Sequence, residues 1–385
     1  MNRAVYSLID YIRSRDGIAD KAVLAKSVQE KFGLTKDRSV YYSEYIAIRF
    51  SSSRSRSFSN TVIALSTLQK YDELPFLVCQ VTPSQNILYL ANTSFLSKVS
   101  HSSQELRVNN IRGSVNGSDI IKVFNGLVNT PENFEELFNI HAAVGFNENL
   151  PRLVEATNNI APSGSKFAVS GISLGAILEA PDRASEFVGS SEYLQLKSDL
   201  DARVSHVTDA ILVAGYIENV NIRGRVIEYM IAGEDDERRK QLVDAVVQGN
   251  GEIPKFRTTN DLGDYARVFD QYETATDVKT KIMILNSNPK AYNIDKLLEF
   301  LSKEKTVFMF YFIGIEPNKI VNQVLVSLFQ TELLESTIVL KHWAGRNSRG
   351  VTQFQGSVLN KLILTPDNGI DRKASRNFLQ ELIAL

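Results

Sequence analysis

The chain has 385 residues, 43% hydrophobic and 23% charged, enough apolar material for one large domain or two ordinary ones. Its 43 Lys and Arg against 44 Asp and Glu leave a net charge of −1, which argues against a protein that coats nucleic acid through bulk charge. Cys79 is the only cysteine and the four histidines (His101, His141, His206, His342) are scattered, which excludes an internal disulfide framework and a Cys-based zinc site.

In chain order, residues 1–17 read as an amphipathic helix with charges throughout rather than a leader. A second helix is expected over 18–32, with Asp20 as a cap and Gly33 as its stop. The period then shortens, and strands are expected over 41–51, 75–83 and 85–96, with a Ser/Arg loop at 51–61 between the first two. Segment 100–119 is polar and reads as a long surface excursion. Helices over 133–141 and 150–158 precede APSGS at 161–165, which breaks the pattern. Residues 191–248 read as helical in three pieces, parted near Glu218 and Gly233. Strands follow at 264–269 and 276–285, then a helix over 293–304 and a near-continuous apolar strand over 306–315. That run is about half of the ~20 residues a membrane span needs. Short strands, TIVLKHW and NKLILTP, and a final helix close the chain. The expected organisation is an N-terminal α+β region, 1–185, for recognition or accessory roles, and an α/β catalytic domain, 186–385. A reducing cytoplasm suits such a chain.

Chemistry concentrates in 264–285. Two strands joined by a short polar link pair as a hairpin. Alternation along the second places Asp277, Lys279 and Lys281 on one face, leading into four apolar residues. Charges that enter a buried strand cost several kcal/mol unless paired or bound to metal. Two carboxylates, Asp264 and Asp277, suit a Mg²⁺ ion that keeps waters and a phosphate oxygen in its shell. The ammonium of Lys279 suits an attacking water and the negative charge that develops beside it. Asp261 and Asp270 are rival first acids. An exposed edge strand with solvated charges is the plain alternative, and Asp371-Arg372-Lys373 shows how easily the short pattern arises.

The order of a strand with Asp, a strand with Asp-x-Lys, a helix and a buried strand resembles the PD-(D/E)xK nuclease superfamily, and most its type II restriction endonucleases. The resemblance covers about 218–316 and implies a mixed central sheet flanked by helices. It also implies Asp264, Asp277 and Lys279 as catalytic residues, with Asp264 and Asp277 as Mg²⁺ ligands. Gly263 stands where the motif has proline. The superfamily often has a helical Glu upstream, and Glu228 fits by order; an Arg225–Glu228 surface pair is the other reading.

Two segments suit DNA. Arg54 and Arg56 lie among hydroxyls fit for phosphate contact. The stretch 341–356, expected as a loop, offers Lys341, His342, Arg346, Asn347, Arg349, Gln353 and Gln355, the side chains that read base edges. The function implied is Mg²⁺-dependent cleavage of double-stranded DNA at a short site in a bacterial cytoplasm, by a homodimer if the site is palindromic. No Gly-rich phosphate loop points to a nucleotide cofactor. A non-enzymatic DNA-binding protein and a repair nuclease are the competing readings.

Overall fold

The computed structural model describes residues 2–53, 58–100, 102, 106–109, 111–162, 164–248, 254, 256, 262–342 and 345–385. Helix α1 (Arg3–Arg13) buries Val5, Leu8, Ile9 and Ile12, one stripe at helical spacing, and Asn2 caps its start. Helix α2 (Lys21–Phe32) begins at Asp20, whose carboxylate accepts from the N–H groups of Ala22 and Val23. It stops at Gly33, left-handed at φ 61°.

Strands β1 (Thr35–Asp37), β2 (Val40–Tyr42), β3 (Ala47–Ser52) and β4 (Thr61–Ala64) follow, then helix α3 (Leu65–Tyr71). Next come β5 (Phe76–Val81), β6 (Asn86–Leu90), β7 (Ser114–Asn116), β8 (Val123–Phe124), β9 (Leu127–Val128) and helix α4 (Phe134–Asn158). A five-stranded sheet runs β1-β2-β3-β5-β6, with β3 and β5 parallel and the other pairs antiparallel. The strand expected over 41–51 is thus two strands. The two helices expected over 133–158 run into one another across a kink at Gly145, whose φ of 77° and ψ of −175° lie outside the helix.

The second unit opens with α5 (Gly171–Val188), α6 (Ser191–His206), α7 (Thr208–Ala214), α8 (Val220–Ala232) and α9 (Asp236–Gln248). It continues through β10 (Tyr265–Val268), β11 (Glu273–Ile282), β12 (Lys290–Asn293), α10 (Ile294–Leu301), β13 (Thr306–Glu316) and β14 (Lys319–Ser327). It ends with α11 (Thr331–Glu335), β15 (Thr337–Lys341), β16 (Gly350–Phe354), α12 (Gly356–Leu364) and α13 (Arg372–Ala384). Its main sheet runs β10-β11-β13-β14. The hairpin β10–β11 is antiparallel, β11 and β13 are parallel across α10, and β14 returns antiparallel. A smaller antiparallel sheet runs β12-β16-β15.

Strand β13 is the spine of this unit, buried along its length except at Glu316. Phe310 meets Phe308, Phe312 and Phe354, while the hydroxyl of neighbouring Tyr311 turns the other way and donates to Asp201 at 2.7 Å. Both faces of the strand are covered, as its unbroken apolar run predicts.

Packing divides the chain into Met1–Ser163 with His342–Asn347, and Gly164–Lys341 with Ser348–Leu385. The main division falls after Ser163, within the 160–190 stretch expected to hold the boundary but ahead of the 185/186 break. That later break would cut α5, whose Ile177, Ala180, Ala184 and Phe187 belong to the second core. The helical stretch 191–248 has four pieces, with an extra break at Val207. NKLILTP is not a strand: Leu359, Leu362 and Ile363 are buried at helical spacing on α12. The expected loop 341–356 contains strand β16. Among the described residues, no helix is long and apolar enough to cross a membrane.

Candidate active site

The hairpin β10–β11 pairs Tyr265 with Thr276, which sets the next residue out, Asp264, across from Asp277. Asp264 is fixed at both ends: its N–H donates to the Thr276 carbonyl at 2.8 Å, and Oδ2 accepts the Val278 N–H at 2.9 Å. Gly263 makes this close approach feasible. Its φ is +78°, and a Cβ would stand 3.1 Å from both the nitrogen and the oxygen of Thr276. Proline, held near φ −65°, cannot take that conformation, so the departure from the family motif has a local backbone cause.

On β11, Lys279 Nζ donates to Asp277 Oδ1 at 2.5 Å and lies 3.8 Å from Oε1 of Glu228 on α8. Helix α8 buries Val226, Ile227, Met230 and Ile231, and packing of that stripe brings Glu228 over the hairpin. The alternative Arg225–Glu228 pairing is not a close ion pair among the described residues, although the charge of Arg225 still favours the Glu228 carboxylate. Arg225 instead lies over the Phe256 ring, 5.5 Å from its centroid.

Two carboxylates, Asp277 and Glu228, therefore lie within 4 Å of the Lys279 ammonium with Asp264 beside Asp277, and the side chains of Asp277, Lys279 and Glu228 are only 9%, 19% and 19% exposed. Burial pushes the Asp277 carboxyl well above the usual range and neighbouring Asp264 adds to this, while Lys279 opposes it. Burial likewise raises Glu228 to about 7, again against the pull of Lys279. Burial alone would lower Lys279, yet the charges of Asp277, Glu228 and Asp264 outweigh it and hold the amine firmly protonated. The carboxylates of Asp264, Asp277 and Glu228 outnumber the cations that act on them, Lys279 and, at Glu228, Arg225.

That excess, built from hard oxygen donors, fits a small divalent cation. Asp264 and Asp277 are the pair that would hold it. Among the described residues, no group of three or more Asp, Glu, His or Cys side chains is close enough to hold an ion unaided. A shell around these two carboxylates would be completed by water and substrate oxygen, which is how Mg²⁺ is commonly held.

The other candidates do not join this cluster. Lys281, expected on the same face, is buried with its ammonium donating to the Leu285 carbonyl and to O and Oγ of Ser287, at 3.3 and 3.2 Å, so it anchors the end of β11. Asp270 lies past β10, where its carbonyl accepts from Lys305 Nζ at 3.0 Å. Asp371 caps α13. Asp261, Arg54 and Arg56 lie outside the described residues.

The expected base-reading stretch is not one surface. Arg349 is buried, and its guanidinium donates to Asp295 Oδ1 at 2.5 Å and to the Phe167 carbonyl at 3.1 Å. It is a core ion pair and has no access to a base. His342 is buried as well, Gln353 lies within β16, and Gln355 is the N-cap residue of α12. Lys341, Arg346 and Asn347 are exposed. The Arg349–Asp295 pair spans 54 positions and leaves no local sign in the sequence. Neither protein-family models nor curated proteins yield a match to this chain.

Proposed function

We propose that this chain is a divalent-metal-dependent nuclease that hydrolyses phosphodiester bonds in double-stranded DNA, with Glu228, Asp264, Asp277 and Lys279 as its reactive centre. The observation that carries the reading is the meeting of Glu228 from α8 and Asp277 from β11 on the Lys279 ammonium, with Asp264 held across from Asp277 by the Val278 N–H. The order α8, β10, β11, α10, β13 supports it further, because it follows the arrangement on which the resemblance to PD-(D/E)xK restriction endonucleases rests.

A bound Mg²⁺ supplies charge neutralisation at phosphorus and makes a water more acidic. Asp264 and Asp277 would hold the ion, leaving the rest of its shell to water and substrate oxygen. Lys279, held protonated, donates a hydrogen bond to the attacking oxygen and stabilises charge that develops on the phosphate. Glu228, raised to about 7, exchanges a proton beside Lys279 near neutral pH. Recognition of a palindromic site would require a homodimer, since two-fold DNA is matched by two-fold protein.

Incubation of purified protein with supercoiled plasmid, with and without Mg²⁺, tests the reading. Wild type should cut only with the metal. Asp277→Asn and Lys279→Ala should each lose at least about 10²–10³-fold in rate while still binding DNA. Discrete bands indicate site-specific restriction, and cutting confined to ends or junctions indicates repair. Unchanged cutting by both variants removes the proposed centre.

A further inference from the structure

The N-terminal unit contains a groove of about 570 Å³ between the β1–β2 hairpin, β3 and α3. Arg38, Arg49 and Lys70 line it, interleaved with the hydroxyl residues Ser39, Ser66 and Thr67. Three cations face one carboxylate, Asp37, and that one is already engaged, accepting from Lys70 Nζ at 2.7 Å and Tyr71 Oη at 2.6 Å. Arg49 is half-buried and held rigidly, its Nε donating to the Val62 carbonyl at 2.9 Å and its Nη1 to the Ser39 carbonyl at 3.0 Å. Arg38 occupies the hairpin turn at φ 54°, a conformation glycine or asparagine takes with less strain. A charged side chain thus stands at a position where backbone geometry disfavours it.

A fixed arginine, further cations and interleaved hydroxyls are the groups that hold phosphate oxygens, and among the described residues no aromatic side chain lines the groove as a platform for a base. We propose that it is a phosphodiester track that grips the sugar–phosphate backbone of a DNA duplex without regard to sequence. The choice of DNA as the polyanion rests on the nuclease reading; the groove's preference for phosphate does not.

The test is duplex binding in metal-free buffer across a salt series, for wild type, Arg38→Asn and Arg38→Asn/Lys70→Gln. Asparagine tolerates the turn's left-handed backbone, so Arg38→Asn removes the charge without harming the fold. Each phosphate-binding cation removed should lower the slope of log affinity against log salt by about 0.9, equally for unrelated sequences. Unchanged affinity and slope in both variants, or a wild type that binds no duplex, overturns the track. Inorganic phosphate at constant ionic strength should displace duplex no better than chloride. Displacement specific to wild type would assign the groove to a free anion and overturn the DNA track. A wild type that binds through the groove yet never cuts sinks the nuclease reading and leaves the track standing.

Discussion

Two buried polar clusters, one in each unit, show opposite electrostatic designs. In the N-terminal unit, Asp72 and His141 are each 1% exposed. The Asp72 carboxylate takes hydrogen bonds from Asn92 and from the N–H and hydroxyl of Thr93. His141 bridges the Asp72 carbonyl and Ser94 Oγ, both at 2.8 Å, and Asn149 donates to that same hydroxyl at 2.8 Å. Burial raises the Asp72 carboxyl there too, against the pull of His141 3.6 Å away, but hydrogen-bond donors surround it. Around Lys279, three carboxylates outnumber the cations, Lys279 and Arg225, and burial pushes two of them upward. Serine, histidine and aspartate in contact invite a catalytic reading of the first cluster, yet it is sealed and internally matched. The second gathers more carboxylates than cations. On the nuclease reading, the balance of charge rather than residue type distinguishes the two clusters.

Removing a member of the matched cluster should have the largest effect on folding. Asp72→Ala strands the Thr93 N–H and the Asn92 amide, and should cost about 3–5 kcal/mol, seen as a lowered denaturation midpoint. A loss near that of an exposed substitution would show that the network is not structural.

The unmatched cluster should respond to pH. Glu228 is raised from 4.5 to about 7, so the folded state binds a proton there more readily than the unfolded chain. The resulting stability is fully present below 4.5 and fades as pH rises through 7. Melting of metal-free protein across that window should fall by about 3 kcal/mol more in wild type than in Glu228→Gln. Parallel curves would remove Glu228 from the cluster.

Asp277→Asn should raise the stability of metal-free protein by about 1–3 kcal/mol while it abolishes cutting, because it removes a burdened buried charge. Destabilisation would place Asp277 among ordinary buried ion pairs. The smallest effect is expected at the turn: Gly263→Ala should cost about 1–2 kcal/mol through its left-handed backbone. A neutral substitution would mean that the turn can relax away from Thr276.

Much of this was legible. Periodicity revealed α1, α2, α10 and β13, because each buries a face, or both faces, of its own element. Hairpin order and alternation likewise anticipated that Asp264, Asp277 and Lys279 would meet. Glu228 emerged only as one of two readings, since its partner Lys279 lies far along the chain on another element. Local pattern failed where tertiary packing decides. Pro181 within α5 obscured a helix held by the second core, and KLIL looked like a strand although its apolar residues face inward at helical spacing. Arg349 looked like a base reader because Asp295, which holds it in the core, is distant in sequence.

The central claim is that the Lys279 cluster is short of one divalent cation. Melting temperature measured against Mg²⁺ concentration tests this without reference to activity, since a ligand that binds only the folded state stabilises it by RT ln(1 + [L]/Kd). The account predicts a saturable rise in wild type that Asp277→Asn abolishes. An equal rise in both proteins, or none in wild type, would contradict it.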